Sequence, residues 1–156
     1  MSSQASPTYD PVVHAILCER LGFLFAKLHQ RWNGESIAAM REAGLGLSAM
    51  HMGALSVVES AGPMSQQVLG EHLKKDRTTI VAVVDELEGE GLLERRRNPS
   101  DRRAYALEVT EEGRAWLSEA QPLLTAVEER MLASLDPQER TVLRSLLQRV
   151  LLGDPD

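Results

Sequence analysis

Between Ser65 and Val109 the apolar residues change their spacing once, and that change limits the fold more than any other feature of the chain. Up to Gly91 the period is helical. Val68, Leu69 and Leu73 mark a brief helix over Gln66–Leu73 behind the cap Ser65, and Ile80, Val84 and Leu87 form one stripe along Thr78–Glu90. The four residues Lys74–Arg77 join the two, so the spacing predicts two helices linked by a tight turn, the second longer. After Gly91 the period becomes two: Tyr105, Leu107 and Val109 alternate with Ala104, Ala106 and Glu108, as in a half-buried strand. Leu92–Arg97 and Arg103–Val109 flank the turn formers Asn98-Pro99-Ser100-Asp101-Arg102. A helix-turn-helix followed directly by a hairpin is a winged helix, so the fold class is mainly α, with a two-stranded β-hairpin as the wing.

Amphipathic helices are expected on both sides. Asp10-Pro11 reads as a cap followed by proline at the first helical position. Val13, Leu17, Leu21, Leu24 and Leu28 then recur until Asn33-Gly34, which reads as a stop. A short helix over 36–42 follows. Leu47-Ser48 opens a segment carrying Met52, Leu55 and Val58 that Gly62-Pro63 ends. Thr110 caps a long stretch with Trp116, Ala120, Leu123, Leu124 and Val127 on one side, and Pro122 is expected to kink or split it. Asp136-Pro137-Gln138-Glu139 starts a last helix bearing Leu143, Leu146, Leu147, Val150 and Leu151. A single domain over 1–156 is therefore expected. It comprises a winged helix-turn-helix at 47–110, with its wing at 92–109, between terminal helices at 10–33 and 111–153 whose apolar faces call for a second copy of the chain.

Composition narrows the function classes. With 156 residues, 43% apolar and 26% charged, the chain is an ordinary globular domain. No apolar run approaches the ~20 residues that span a bilayer, and MSSQASPTYD lacks a secretory pattern, so a cytoplasmic location with no membrane partner is expected. One cysteine excludes a disulfide framework, and His14, His29, His51 and His72 match no zinc spacing, so no metal and no cofactor are expected. No nucleophile triad or phosphate-cradling glycine loop stands in a supporting context, which argues against an enzyme. The net charge is −6, yet residues 91–105 hold Arg95, Arg96, Arg97, Arg102 and Arg103 against Glu94 and Asp101, a local +3. A polyanion would be met through that patch.

The stretch from Ser65-Gln66 through Thr78-Thr79-Ile80, Asp85-Glu86-Leu87-Glu88, Gly91-Leu92-Leu93-Glu94-Arg95, Asn98-Pro99-Ser100-Asp101-Arg102-Arg103 and Val109-Thr110-Glu111-Glu112-Gly113 resembles the MarR family of bacterial transcription regulators. The resemblance implies a homodimer built by interlocked terminal helices, each lobe presenting one winged helix to palindromic double-stranded DNA. It implies that Arg103, braced by Asp101, enters the minor groove, with Arg95, Arg97 and Arg102 beside it and Ser65 and Gln66 on the preceding helix. Arg77, Thr78 and Thr79 lie at the end of the recognition helix that enters the major groove first, and Val81 and Ala82 lie off its core stripe, where thymine methyls could meet them. Ala82 and Glu86 stand where relatives often carry arginine, and Asn98 where many carry aspartate.

The resemblance also implies a small-molecule pocket around Phe23, Phe25, His29, Trp32 and Met52, residues whose helical spacing equally suits plain core. Cys18, four residues after His14, is expected to be structural, with redox sensing as the alternative. The reading is a sequence-specific, ligand-responsive homodimeric repressor. Its rivals are a winged helix used as a protein-interaction module and a regulator that senses oxidants through Cys18.

Overall fold

A computed structural model describes residues 16–98 and 101–153, with the side chains of Asn98 and of residues 101–104 outside that description. The expected helix start at Asp10-Pro11, the tip Pro99-Ser100 and the side chains of Asp101, Arg102 and Arg103 therefore lie outside the described residues. The elements are α1 (Leu21–Glu42), α2 (Ala49–Ala61), α3 (Gln66–Leu73), α4 (Arg77–Gly89), β1 (Leu93–Asn98), β2 (Asp101–Val109), α5 (Glu111–Met131) and α6 (Pro137–Leu152).

The first helix departs from expectation at both ends. Residues 16–18 are helical, but Arg20 is extended, with φ −99° and ψ 111°, and interrupts the stripe before α1 begins. Asn33-Gly34 does not stop α1, which runs on through the region expected as a separate helix at 36–42. Interactions one turn apart explain the continuation. Arg31 pairs with Glu35 at 2.7 Å, Asn33 bonds His29 at 3.2 Å, and the Ser36 hydroxyl donates to the Trp32 carbonyl at 2.6 Å. Ser36 and Met40 are buried, so tertiary packing outweighs the weak helix propensity of Gly34. The stop comes at Gly44, whose φ of +75° supports bonds from its own N–H to Arg41 and from the Leu45 N–H to Met40, a Schellman ending.

The remaining boundaries follow the sequence closely. Ser65 accepts from the Val68 N–H, and α4 starts at Arg77, one residue earlier than predicted, capped by Asp76, which accepts from the Thr79 N–H at 3.0 Å. Lys74 closes α3 with φ +50°, a left-handed position that a non-glycine residue seldom holds. Pro122 does not split α5, which is one helix over its 21 residues. Asp136 and Glu139 form the anticipated capping box of α6.

β1 and β2 pair antiparallel, Leu93 opposite Val109 and Arg97 opposite Tyr105, and Leu107 also bridges Met64 ahead of α3. One core joins α2, α3, α4 and the wing base through Leu55, Val58, Leu69, Ile80, Val84, Leu87, Leu93 and Leu107. A second, smaller cluster of Met40, Ala120 and Leu124 lies between α1 and α5. α6 buries none of its residues: Leu146, Leu147, Val150 and Leu151 are exposed, as are Leu21, Phe25 and Leu28 on α1.

Candidate nucleic-acid interface

The recognition surface is built on α4. Its inner stripe, Ile80, Val83, Val84 and Leu87, is buried, which turns Arg77, Thr78, Val81 and Ala82 outward. Thr79 differs from its neighbour. Its hydroxyl donates to Asp76 at 2.6 Å and its N–H to the same carboxylate, so Thr79 secures the helix start while Thr78 stays exposed. Those bonds, the Thr79 hydroxyl first and its backbone N–H second, hold the Asp76 carboxyl below its ordinary range.

α3, the start of α4 and the wing enclose an open cleft of about 870 Å³ whose walls include Ser65, Gln66, Arg77, Val81, Arg95 and Tyr105. Lys74 and Lys75 add two cations at its rim. These lysines and Tyr105 are site residues that sequence reasoning missed. In the sequence the lysines read only as a connection. Tyr105 reads as part of the buried face, yet it is 52% exposed because the core ends at Leu107. The Gln66 Nε2 is buried in the cleft wall with no hydrogen-bond partner among the described residues.

The wing arginines are not equivalent. Arg96 pairs with Glu94 at 2.5 Å and Glu108 at 3.3 Å, and these carboxylates, Glu94 foremost, raise its already high pKa. Arg97 is exposed opposite Tyr105. Arg95, expected beside DNA, instead directs its guanidinium onto Asp85 and Glu88 of α4. The local +3 of the hairpin is thus partly offset by carboxylates from outside residues 91–105. Glu86 is likewise engaged. Its carboxylate lies 2.8 Å from His51 Nε2, while His51 Nδ1 meets the Ser48 hydroxyl at 2.8 Å and the Ser48 N–H at 3.2 Å.

The wing base is locked to the next helix. The Thr110 hydroxyl donates to the Gly91 carbonyl at 2.7 Å and accepts from the Gly113 N–H at 3.0 Å. A Cβ at Gly113 would lie 2.1 Å from the Leu92 carbonyl oxygen, which gives the spacing from Thr110 to Gly113 its physical reason.

The expected small-molecule residues separate. Trp32 and Met52 both pack against the Met40, Ala120 and Leu124 cluster, joined by Leu45, Ala49, Trp116 and Leu123. Phe23, Phe25 and His29 are not part of it: Phe25 and His29 are exposed, and Phe23 is half-buried under Lys27, 5.8 Å from the ring centre. Within one chain, then, the five do not share one cluster, and Phe25 and His29 lie on the solvent-exposed part of α1. Cys18 is half-buried, and no group of three potential metal ligands occurs among the described residues. No helix of the described residues is long and apolar enough to cross a membrane.

A recognition helix with an exposed polar start, flanked by cations and by a hairpin, defines a winged-helix DNA-binding protein. Comparison with known proteins narrows the class. The MarR family model matches residues 45–104. The chain is 32% identical to a putative transcriptional regulatory protein for the hcr operon of Thauera aromatica, over 93% of this chain and 87% of that protein. It is 28% identical to the transcriptional repressor NicR of Pseudomonas putida, over 99% and 98% of the two chains. Among solved structures, the repressor CouR bound to a 23-mer DNA duplex superposes with a TM-score of 0.79 at 30% identity, over 86% of this chain and 94% of CouR. CouR of Rhodococcus jostii has also been solved with p-coumaroyl-CoA, with a TM-score of 0.75 at 27% identity over 99% of both chains. The chain belongs to the MarR family of transcription regulators.

Proposed function

We propose that this protein is a homodimeric repressor that binds a palindromic operator and leaves it when a small molecule binds. The single observation that carries the reading is the exposed face of Arg77, Thr78, Val81 and Ala82, of which Arg77 and Val81 line one cleft with the wing, Lys74 and Lys75. In a duplex, that helix end takes the major groove and reads base edges, while the lysines and Arg97 meet phosphates. Arg102 and Arg103 lie toward the wing tip in sequence, and Arg103, braced by Asp101, is assigned to the minor groove. Ser65 and Gln66 approach the backbone from α3, and Thr79 contributes by holding the start of α4. The apolar faces of α1 and α6 supply the dimer, and the protein acts in the cytoplasm as a regulator rather than an enzyme.

The effector is assigned to the region of Trp32 and Met52, between the terminal helices and the lobe. The p-coumaroyl-CoA held by CouR makes an aromatic acid or its CoA thioester the first class to test.

The test begins by selecting duplexes from fragmented genomic DNA with the purified protein. An enriched two-fold-symmetric site is expected. On that duplex, Arg103→Ala should weaken binding and flatten the log–log salt dependence by about one unit for each phosphate that is no longer neutralised. Asp101→Ala should weaken binding too, although it removes a negative charge, because the bracing goes with it. An Arg103→Ala protein that folds normally and keeps affinity and slope would return the wing to a solvated turn and favour the protein-interaction reading.

A further inference from the structure

We propose that Arg95 is a positioning residue that fixes the wing against the recognition helix, not a group that touches DNA. The inference rests on the DNA-binding reading above and adds a role for three residues within it. Arg95 stands on β1 directly opposite Leu107, at the point where the hairpin leaves the core. Its side chain is only 23% exposed, against 61% for the adjacent Arg96. Both ends of the guanidinium are occupied. Nη2 donates to Asp85 at 2.5 Å and Nη1 donates to Glu88.

Asp85 and Glu88 are three residues apart on α4, so they share a helix face and the planar fork spans the gap between them. Both acids are substantially exposed, so the pairs contribute little to global stability. Their effect is geometric. A DNA phosphate reaching for Arg95 would have to displace two carboxylates and then lie beside them, and the three groups together carry a net −1. What the clasp does supply is a fixed angle between α4 and the wing. A duplex meets these as two linked binding elements, so once one is seated the other binds at a high effective concentration. Loosening the hairpin lowers that concentration without removing any group that touches DNA.

The experiment compares wild type, Arg95→Ala, Arg95→Lys and the double variant D85N/E88Q. Each is titrated against the selected duplex across a salt series and against poly(dI-dC), and amide hydrogen exchange is followed without DNA. Thermal unfolding establishes that each is folded at the assay temperature. The clasp predicts that Arg95→Ala binds the selected duplex about tenfold more weakly with an unchanged salt slope. Arg95→Lys should weaken binding nearly as much, because one ammonium cannot bridge both acids. D85N/E88Q should also weaken binding, whereas removing two acids beside DNA would tighten it if charge alone mattered. Poly(dI-dC) affinity should change less than affinity for the selected duplex, and amides of residues 93–97 and 105–109 should exchange faster in Arg95→Ala. A slope reduced by about one in Arg95→Ala, with binding kept by Arg95→Lys and tightened by D85N/E88Q, would make Arg95 a phosphate ligand and overturn the proposal. Unchanged exchange in the wing would overturn the clasp alone. Failure of the wild type to bind any duplex would remove the DNA-binding reading and this role with it.

Discussion

The central lobe and the terminal helices solve the same problem, covering apolar surface, in opposite ways. In the lobe, α2, α3, α4 and the wing base close on one another, and Leu55, Leu69, Val84, Leu87, Leu93 and Leu107 are essentially removed from water. At the termini, α6 buries nothing, and Val150 and Leu151 are each 73% exposed. Burying one such side chain contributes roughly 1.5–3 kcal/mol, so several on two helices amount to an association energy held in reserve for a second copy. The lobe's shape is thus determined within one chain, whereas α6 is left to be covered by a second copy. A mutation should act on stability in the first region and on assembly in the second.

The largest expected effect follows from placing a charge in the reserved surface. Leu147→Glu, at the least exposed of the α6 leucines that face solvent, should convert a dimer into monomer or aggregate, a shift of about a hundredfold or more in dissociation constant, read by sedimentation velocity. The helix-turn-helix should stay folded by circular dichroism. A wild type that sediments as a monodisperse monomer at micromolar concentration would break the comparison.

Two glycines sharpen it from the stability side. Gly113→Ala forces a methyl against the Leu92 carbonyl and the Val109 side chain, where backbone must move, and should cost about 3 kcal/mol in denaturant unfolding. Gly34→Ala, inside α1 with open space around its would-be Cβ, should instead stabilise the chain by ~0.5–1 kcal/mol. If both behave alike, the lobe is not the closely packed region described.

The smallest effect is a pH dependence at the edge of the lobe. Because the folded state depresses the Asp76 pKa, its contribution is fully present above the ordinary value of 3.8 and is lost as pH falls through the lower folded-state value. The stability difference between wild type and Asp76→Ala should therefore be flat from neutral pH down to about 5 and narrow below 3.8. A difference that narrows already near pH 6 would assign it to another group.

What was legible in the sequence divides along the same line. Within the lobe, short-range signals sufficed: Ser65, Gly91 and Thr110 mark ends that the structure keeps, and Ile80, Val84 and Leu87 are the inner stripe of α4. The stop at Asn33-Gly34 failed because Ser36 and Met40 are drawn into tertiary packing that no local pattern records. The ion pairs around the candidate site were not legible along the chain. Arg95 and Glu86 each look free along the chain, but their partners are 7, 10 and 35 residues away, and only folding brings Glu88, Asp85 and His51 to them. Tyr105 fits the alternation of a buried strand, but the core ends two residues short of it, at Leu107.

The central claim is that two copies of this chain read one duplex through paired winged helices. It is tested most directly by titrating the selected duplex with the wild-type protein at several salt concentrations and measuring the mass of the complex. The account predicts two chains on each symmetric site and a logarithm of affinity that falls linearly with the logarithm of salt, with a slope of several units. A complex of one chain per duplex, or an affinity indifferent to salt, would contradict it.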